Sequence, residues 1–599
     1  MNKFVEDIVK IISESVNRCV RAGVAQSGTS VHPLPGKDGA GVQPPSQQPT
    51  DLSPDEIKKL VEIPPDEKLG DYAFPCFVLS KKFRKAPDKI ASELASQMKA
   101  TELIEQIYSI GPYVNFKVNK TKLAEFVLTQ IFNEGVNYGS AEIGKGKTIV
   151  IDFSSPNIAK PFGIGHLRTT AIGNALYHIY KNLGYDVVRI NHLGDWGTQF
   201  GKVILAYKLW GDESELQKDP ISTLYDLYVR FHQEAKEDPS LEDEARAWFK
   251  KLEDGDEEAT ALWQKFRDYS LDEFKRVYQM LGIEFDAYTG ESFYNKYMDQ
   301  TIEEIKAKGL AEISQDALIV NLEKFNLPPC LLKKKDEATL YATRDIAGAI
   351  YRYNTYHFYK SLYVVGTAQR LHFQQVFKVL ELMGYPWAKE CVHVDFGWIK
   401  FKQEMMSTRK GNIILLEDVL NKSIELARKI IEEKNPELED KDEVAKDVGI
   451  GAVIFADLST RRNKDIDFDW DQALSFDGET APYVQYTHAR LCSLIRKYGK
   501  PIDKEMVYEV LSTEEEIALV KLLENFPRII RSAAKNYEPS FICSFLIDLC
   551  STFNRFYQKE RIITEDAKTT RARILLVKTI QVTVKSGLSL LGIKAPERM

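Results

Sequence analysis

Residues 153–176, FSSPNIAKPFGIGHLRTTAIGNAL, carry side chains and glycines that could bind a phosphate group. Gly163 and Gly165 allow a tight turn, and His166 stands just before a pattern typical of a helix. At a helix N-terminus the free backbone N–H groups and the helix dipole favour an anionic ligand. Taken alone, the stretch is equally compatible with a structural helix start around a buried histidine.

The glycine spacing argues against a dinucleotide site. The dinucleotide fingerprint places a third glycine three residues after the second, so that the helix packs closely on its strand. Arg168, a bulky cation, stands at that position instead. We therefore reject the dinucleotide interpretation and keep that of a nucleotide used for other chemistry.

The flanking sequence predicts the elements that position this stretch. Residues 148–153 form a short apolar run with strand character, and apolar residues at helical spacing extend from Ile172 to Leu183. Gly184 ends the helical pattern, and residues 187–190 suggest a second strand. A strand, helix and strand of this length match the crossover unit of a parallel sheet.

Further polar segments lie next to other predicted elements. Residues 190–202, INHLGDWGTQFGK, follow the second strand, where α/β sheets place ligand-binding loops. Tyr341 and Asp345 lie one helical turn apart, so they share a helix face. Gln369 and His372 follow the strand-like YVVG, and residues 404–412, EMMSTRKGN, form a polar, cationic loop suited to phosphate.

Composition limits the function classes. The net charge of −7 argues against a protein that coats nucleic acid through bulk electrostatics, although a local basic face can still contact phosphates. The seven cysteines form no C-x-x-C pair and no cluster at zinc spacing, which predicts a reduced, cytoplasmic compartment and no structural zinc. No apolar run reaches the ~18 residues of a transmembrane helix, so we expect no membrane partner.

The chain divides into three predicted domains. Residues 1–120 form a small α+β domain, interrupted at 23–49 by a mobile loop rich in Gly, Pro, Ser and Gln. Residues 121–420 alternate helices with the strand-like runs TIVIDF, DVVRI, ALIVNL, SLYVVG and CVHVDF, as in an open α/β sheet, around a helical insertion at about 220–276. Residues 421–599 form a helix bundle.

Together these segments resemble the arginyl-tRNA synthetases, a family of class I aminoacyl-tRNA synthetases, over nearly the whole chain. The matching segments are SSPNIAKPFGIGHLRTT, HLGDWGTQFG, FDAYTGES, YATRDIA, MMSTRKGN, FDGETAPYVQYTHAR and the terminal LGIKAPERM. The resemblance implies an α/β fold with a Rossmann-type parallel-sheet catalytic domain. An N-terminal α+β domain would touch the tRNA D-loop, and an all-α bundle would bind the anticodon.

The resemblance also implies a reaction. L-Arginine and ATP, with Mg²⁺ carried on the nucleotide, would give arginyl adenylate and pyrophosphate, and the arginyl group would then move to its cognate tRNA with release of AMP. We expect a monomer, because no helical seam or internal repeat suggests self-association.

Both family signatures are altered in this chain. The first, H-I-G-H, reads Gly163 to His166 without its first histidine, and the second, K-M-S-K-S, reads 405–409 without either lysine. Loss of one donor to the developing phosphate charge typically costs about 10²- to 10³-fold in turnover. The resemblance implies that His166 and Lys160 are the catalytic residues, with Lys160 replacing a signature lysine. The implied ATP-binding residues are Gly163, Gly165, His166, Lys160, Met406, Ser407 and Lys410.

Selection of arginine requires acidic partners, because a guanidinium offers five N–H donors in a planar fork that carboxylates match bidentately. By resemblance Asp345 and Glu291 are those partners, and Tyr341 stacks on or bonds the same group. The positions implied for the arginine backbone are Ser155, Asn157 and Gln369. A buried carboxylate would reject uncharged analogues, and lysine lacks the fork.

For tRNA, the resemblance implies two sets of contacts. Tyr113 and Asn115 share a strand face and match D-loop contacts, an aromatic for stacking and an amide for base edges. The residues matching anticodon-loop contacts are Tyr486, Arg490, Tyr557 and Met599. Core packing is the alternative for Tyr486 and Tyr557.

Two other functions stay open at this point. One is a catalytically silent tRNA-binding paralogue, which Gly163 and Met405 favour. The other is a different class I synthetase of the same subgroup. The retained Lys160, His166 and Asp345 favour an active enzyme, because a chain freed from catalysis has no evident need for them.

Overall fold

Residues 3–26, 52–333, 341–401 and 414–599 are described by the computed structural model. They fall into two units. The first comprises Met1–Gln130, Ile502–Lys521 and Ile562–Leu575, and the second comprises Ile131–Pro501, Leu522–Arg561 and Leu576–Met599.

The N-terminal part of the first unit is an antiparallel sheet covered by helices. Its three strands, in the spatial order β1-β3-β2, are β1 (Tyr72–Pro75), β2 (Ile104–Ile110) and β3 (Tyr113–Val118). The helices are α1 (Lys3–Gln26), α2 (Pro54–Leu60), α3 (Ser80–Phe83), α4 (Pro87–Gln97) and α5 (Lys120–Glu134). Helix α1 includes residues 23–26, for which the sequence predicted a loop; the rest of the 23–49 segment lies outside the described residues.

A parallel sheet lies at the centre of the second unit, as the sequence predicted. Its strands, in the spatial order β10-β9-β4-β5, are β4 (Thr148–Asp152), β5 (Asp186–Ile190), β9 (Lys360–Tyr363) and β10 (Cys391–His393). Ile149, Val150 and Ile151 are all fully buried, which is typical of a parallel strand covered on both faces.

The helices between β4 and β10 are α6 (Leu167–Asn182), α7 (Thr198–Trp210), α8 (Glu213–Lys218), α9 (Pro220–Glu237), α10 (Ser240–Glu253), α11 (Glu257–Leu281), α12 (Glu291–Ala307), α13 (Tyr341–Tyr356) and α14 (Arg370–Leu382). Of these, α6 packs against β4 and β5, α13 against β4, and α14 against β10. Gly173 lets α6 pack closely, because a Cβ there would lie 2.2 Å from the Phe153 ring.

One predicted strand belongs elsewhere. The run ALIVNL forms β7 (Ala317–Val320), which pairs antiparallel with β6 (Ala311–Ser314) and β8 (Cys330–Lys333) in a separate sheet. The prediction that this run continues the parallel sheet was wrong. A short apolar run fits either kind of strand, and the turn at Gln315 and Asp316, both with positive φ, makes this one a hairpin.

The remaining elements follow the sheet. They are β11 (Ile399–Phe401), β12 (Ile466–Phe468), α15 (Leu416–Lys434), α16 (Lys441–Leu458), α17 (Trp470–Ala473), α18 (Ala481–Tyr498), α19 (Glu514–Asn536), α20 (Ser540–Lys559) and α21 (Ala567–Leu590). Strand β11 pairs in parallel with β12. Among the described helices, none combines the length and the apolarity that crossing a membrane requires.

Candidate active site

Four loops meet at the carboxyl edge of the parallel sheet. They follow β4, β5, β9 and β10. The strand order switches between β4 and β9, because the chain adds β5 on one side of β4 and then β9 and β10 on the other. In open α/β sheets, ligands bind in the crevice at such a switch point. The loops hold most of the residues that the sequence singled out for ATP and arginine.

The first signature lies on the loop after β4. Ile164–His166 form a short 3-10 turn that leads directly into α6, so His166 stands at the predicted helix N-terminus. Gly163 has φ −76° and ψ 161°, an extended backbone that any residue adopts. The glycine is therefore not required by the backbone conformation.

The backbone brings the flank of the second signature to the first. The Ile164 N–H donates to the Ile414 carbonyl at 2.9 Å, and the Leu416 N–H donates to the Phe162 carbonyl at 2.9 Å. A bridge between Gly163 and Leu415 lies between these bonds. The predicted ATP contacts Met406, Ser407 and Lys410 lie outside the described residues.

His166 and Gly165 leave room for a ligand. Among the described residues, a Cβ on Gly165 would meet no atom within 4 Å. The His166 Nδ1 lies 3.3 Å from the Gly163 carbonyl, and the ring contacts Phe162 at 5.2 Å between centroids. Burial lowers the pKa of His166, although the bond to Gly163 opposes this shift.

Lys160 lies over an aromatic ring from the inserted helices. Its Nζ is 5.2 Å from the centroid of Tyr228 on α9. Burial lowers the pKa of Lys160 below its ordinary value. An anionic ligand would oppose this shift, because an opposite charge stabilises the ammonium.

The loop between β4 and Lys160 is strained. Ser154, Ser155 and Ala159 all have positive φ (71°, 48° and 56°), a region that residues other than glycine rarely adopt. Such strain often occurs at functional sites. The Ser155 Oγ donates to Asp152 at 3.0 Å, and that carboxylate also pairs with Arg352 at 2.7 Å.

Asn157 is exposed on the same loop and lies against the loop after β5. It forms a bridge with Gly194, whose Cβ, if present, would lie 2.0 Å from the Asn157 Oδ1. Only glycine allows this approach, which explains why Gly194, the first glycine of HLGDWG, carries no side chain. Two of the predicted backbone contacts, Ser155 and Asn157, thus lie on adjacent parts of one loop.

Asp345 lies between two histidines. The His372 Nε2 is 2.5 Å from one carboxylate oxygen, and the His192 Nε2 is 3.9 Å from the other. Burial alone would raise the pKa of Asp345, but the bond from His372 and the nearby charges outweigh it and lower the pKa. The pocket therefore contains an ionised carboxylate.

Glu291 is the second acidic residue of the pocket. It begins α12, and its carboxylate lies 3.8 Å from the Arg344 Nη1. Burial raises the pKa of Glu291 to about 7; Arg344 opposes the shift, while Asp345 and Asp195 add to it. Two neighbouring carboxyl groups thus have pKa values shifted in opposite directions.

Tyr341 and Gln369 complete the predicted set. Tyr341 begins α13 one turn before Asp345, as predicted, and its side chain is 57% exposed. Gln369 ends a 3-10 turn after β9 and is exposed at the carboxyl edge. Both side chains are accessible to a ligand in the crevice.

Sequence reasoning assigned no role to several residues that hold this pocket. His192 follows β5 and His372 follows Gln369, and the position of each after a strand was an available signal. Asp195 is fully buried and accepts the Ser292 N–H at 2.8 Å, which caps the helix that begins with Glu291. No local pattern distinguishes this aspartate from a surface acid.

The predicted anticodon residues form a second site on the helices. The Arg490 guanidinium lies between two rings, 4.9 Å from the Tyr486 centroid and 5.5 Å from that of Tyr557. It also donates to Asn554 at 2.6 Å. Tyr486, Arg490 and Met599 line a cavity of about 420 Å³. Tyr486 and Tyr557 are 38% and 40% exposed, so neither is a core residue.

The two predicted D-loop contacts differ from each other. Tyr113 packs edge-on against Phe77, which is 52% exposed, with 5.8 Å between centroids. Asn115 is only 2% exposed; with its amide oriented to satisfy both of its polar atoms, the nitrogen donates to the Leu69 carbonyl at 2.9 Å and the oxygen accepts from the Ile110 N–H at 3.3 Å. Its amide therefore stabilises the turn between β2 and β3 from inside, and the expected contact with a base edge does not fit this burial.

Three segments of the chain match models of known protein families. Residues 127–470 match the family model "tRNA synthetases class I (R), catalytic domain". Residues 484–599 match "DALR anticodon binding domain", and residues 40–118 match "Arginyl tRNA synthetase N terminal domain". The chain belongs to the arginyl-tRNA synthetase family. It is thus a class I enzyme of the arginine–tRNA ligase type, and the silent paralogue is not favoured.

Relatives of this synthetase are similar along their full length. The arginine–tRNA ligase of Halothermothrix orenii is 52% identical over 554 residues, which are 92% of this chain and 98% of that protein. That of Clostridioides difficile is 52% identical over 92% of this chain and 97% of that protein. The Thermus thermophilus arginyl-tRNA synthetase structure has a TM-score of 0.75 and 26% identity, over 90% of this chain and 96% of that one.

Proposed function

We propose that the crevice at the carboxyl edge of the parallel sheet is where this synthetase joins arginine to its tRNA. First, a carboxylate oxygen of arginine attacks the α-phosphorus of ATP, and pyrophosphate leaves. Then a hydroxyl of the terminal tRNA ribose attacks the arginyl carbonyl carbon, and AMP leaves. The observation that carries this proposal is the position of the Asp345 carboxylate, partly exposed in this crevice with His372 against one oxygen and His192 near the other.

The proposed guanidinium subsite consists of Asp345, Glu291 and Tyr341. The guanidinium fork would pair with Asp345, and its charge would draw the proton off Glu291. Tyr341 would cover the guanidinium plane. Lysine, a point charge without a fork, would use this subsite poorly.

The proposed subsite for the arginine backbone lies on two facing loops. Gln369 would bind from the loop after β9, and Ser155 and Asn157 from the strained loop after β4. Because the Ser155 hydroxyl is tied to Asp152, its backbone position is defined before the substrate binds. This preorganisation would place the arginine carboxylate next to the first signature.

The proposed phosphate subsite consists of Gly163, Gly165, His166 and Lys160. Backbone N–H groups at the start of α6, the His166 ring and the Lys160 ammonium would stabilise charge on the phosphates. Among the described residues, none blocks the space at Gly165, which supports close approach of a nucleotide. Residues Met406, Ser407 and Lys410 are proposed to complete the subsite on sequence grounds alone.

Magnesium is proposed to enter with the nucleotide. In the described part of the chain, no group of three or more His, Cys, Asp or Glu residues lies close enough to hold a metal ion. Bound Mg²⁺ would neutralise phosphate charge, and the protein contacts described above are cationic or neutral, which suits phosphates already carrying the ion.

For tRNA, we propose that the anticodon loop binds the cavity of Tyr486, Arg490 and Met599, with Tyr557 behind Arg490. Three alternating aromatic and guanidinium planes suit unpaired bases. Tyr113 is proposed as the D-loop contact.

We retain the division into an N-terminal domain (1–120), a catalytic domain (121–420) with its insertion, and an anticodon-binding domain (421–599) as a proposal. We also propose a cytoplasmic monomer. All seven cysteines are free, which suits a reducing compartment. Light scattering on the purified protein would test the oligomeric state.

The testing experiment is arginine-dependent ATP–pyrophosphate exchange, run with and without arginine tRNA and repeated with lysine. We expect exchange that requires both arginine and tRNA, and little exchange with lysine. Butylguanidine, which has a guanidinium but neither α-group, should inhibit by competing with arginine. Absence of exchange under every condition, with tRNA binding retained, would contradict the proposal and restore the silent paralogue.

A further inference from the structure

The turn that carries Gln369 is docked on a second turn, between β10 and β11. The Thr367 N–H and Oγ1 both donate to the Phe396 carbonyl, at 3.0 and 2.8 Å. On the other side of Gln369, the Arg370 guanidinium donates to Asp395 at 2.5 Å. The position of Gln369 therefore depends on residues 395–397.

Arg462, from the segment between α16 and β12, holds residues 395–397 in place. Its Nη1 donates to both the backbone carbonyl and a carboxylate oxygen of Asp395. Its own carbonyl accepts the Gly397 N–H at 2.8 Å. One residue thus fixes both the backbone and the side chain of this turn.

The segment that carries Arg462 is itself anchored at several points. The Arg462 N–H donates to Glu538 at 3.2 Å, and the Lys464 carbonyl accepts from the guanidinium of Arg168 at 2.6 Å. Asp465 accepts the Trp398 N–H at 2.8 Å. These bonds tie the segment to the helical region, to the first helix of the site and to the strand after the turn.

The contact between Arg462 and Asp395 is shielded from solvent. Their side chains are 20% and 16% exposed, so the charge-assisted bonds are stronger than those of a surface pair. Burial alone would raise the pKa of Asp395, but bonds from Arg370 and Arg462 outweigh it and keep the carboxylate ionised.

We propose that Arg462 is a positioning residue for the arginine-backbone subsite: it fixes the Asp395–Gly397 turn, and that turn sets the place of Gln369. The inference rests on the proposed role of Gln369 in binding the arginine backbone. Arg462 itself does not touch the substrate. The acidic residues of the guanidinium subsite lie on α12 and α13, and the link from this turn to them is the bond from His372 on α14 to Asp345.

The test compares R462K with R461K, its exposed neighbour, in the full-length enzyme. A lysine ammonium keeps the charge but lacks the planar, pre-organised fork of arginine. We expect R462K to raise the KM for arginine about tenfold, because small misplacements of a binding group are costly. The inhibition constant of butylguanidine should change much less than the KM for arginine, the Kd for tRNA should stay unchanged, and R461K should match the parent enzyme. D395N should behave like R462K, and the double variant should be no worse than either single one.

Q369A separates this inference from the proposed function. If Q369A raises the KM for arginine but R462K and D395N do not, the positioning role is wrong and the function stands. If Q369A has no effect, the assigned role of Gln369 is wrong, and the inference with it. A parallel loss of arginine binding, butylguanidine inhibition and tRNA binding in R462K would show a general structural role and overturn the proposal.

Discussion

The proposed arginine pocket and the proposed anticodon cavity on the helices offer a ligand two opposite kinds of contact. The pocket contains a carboxylate, Asp345, that stays ionised despite burial and is braced by His372. The cavity contains a stack, with Arg490 between Tyr486 and Tyr557. The first depends on charge in a shielded site, and the second on flat surfaces near solvent.

The difference predicts how each site fails. A shielded carboxylate that loses its partner is costly, so the pocket discriminates steeply between similar amino acids. A stacked base contributes less and tolerates substitution, because every base has a π-face. The two sites should therefore respond to mutation by very different factors and in different kinetic constants.

The largest effect should come from D345N. It keeps the size of the side chain but removes the charge that faces the guanidinium. We expect kcat/KM for arginine to fall about 10³-fold, since removing one partner of a shielded charge pair costs about 2–5 kcal/mol. Pyrophosphate exchange and a tRNA-binding assay on the same sample would measure it.

The matching control for this comparison is D186N, an exposed aspartate at the start of β5. It should leave all constants unchanged. If D345N weakened tRNA binding as strongly as it lowers kcat/KM for arginine, the two sites would not be independent. The proposed difference between them would then be wrong.

A smaller effect should come from Y486L in the cavity. The variant removes one plane of the stack and keeps an apolar side chain. We expect the Kd for arginine tRNA to rise about tenfold, as one stacking contact contributes about 1–3 kcal/mol. The KM for arginine should not change. R428A, an exposed arginine on α15 paired with Asp442, is the control; an equal loss there would indicate non-specific electrostatics.

Sequence patterns predicted the parts of these sites that depend on local order. The helical spacing of Tyr341 and Asp345 and the helix start at His166 were confirmed. The α/β catalytic fold with a helical C-terminal region was confirmed by the parallel sheet and by the family models. Each of these follows from residues close together in the chain.

The parts that depend on distant residues could not be predicted. The bond from His372 to Asp345 joins α14 to α13, and the bridge from Gly163 to Leu415 joins segments about 250 residues apart in the chain. The burial of Asn115 depends on the loop at Leu69 as well as on its own strand. An alternating strand pattern shows which residues share a face, but not which loop covers that face.

Arginine binding should depend on pH in a way that tRNA binding does not. Because burial raises the pKa of Glu291 to about 7, the free enzyme is protonated there below that pH. A bound guanidinium favours the carboxylate, so binding releases a proton and the affinity rises with pH up to about 7.

We expect the KM for arginine to fall about three- to tenfold from pH 6 to pH 8 in the parent enzyme. E291Q should flatten this dependence, since it has no proton to release. Groups around Glu291 are Arg344, Asp345 and Asp195, and Asp345 is already ionised across this range. An unchanged slope in E291Q would assign the titration to another group. The Kd for tRNA should show no such Glu291-dependent step.

The smallest effect separates the two predicted D-loop residues. Y113L should weaken tRNA binding about threefold, because Tyr113, with Phe77 packed edge-on against it, is the proposed stacking surface for a D-loop base. N115A should instead lower stability by about 1–3 kcal/mol, since it leaves the Leu69 carbonyl and the Ile110 N–H without their buried partner. Once folded, N115A should bind tRNA like the parent. Thermal unfolding and tRNA titration of both variants check this. If N115A lost affinity for tRNA but kept its thermal stability, the Asn115 amide would contact the RNA after all. The turn would then have to open when tRNA binds.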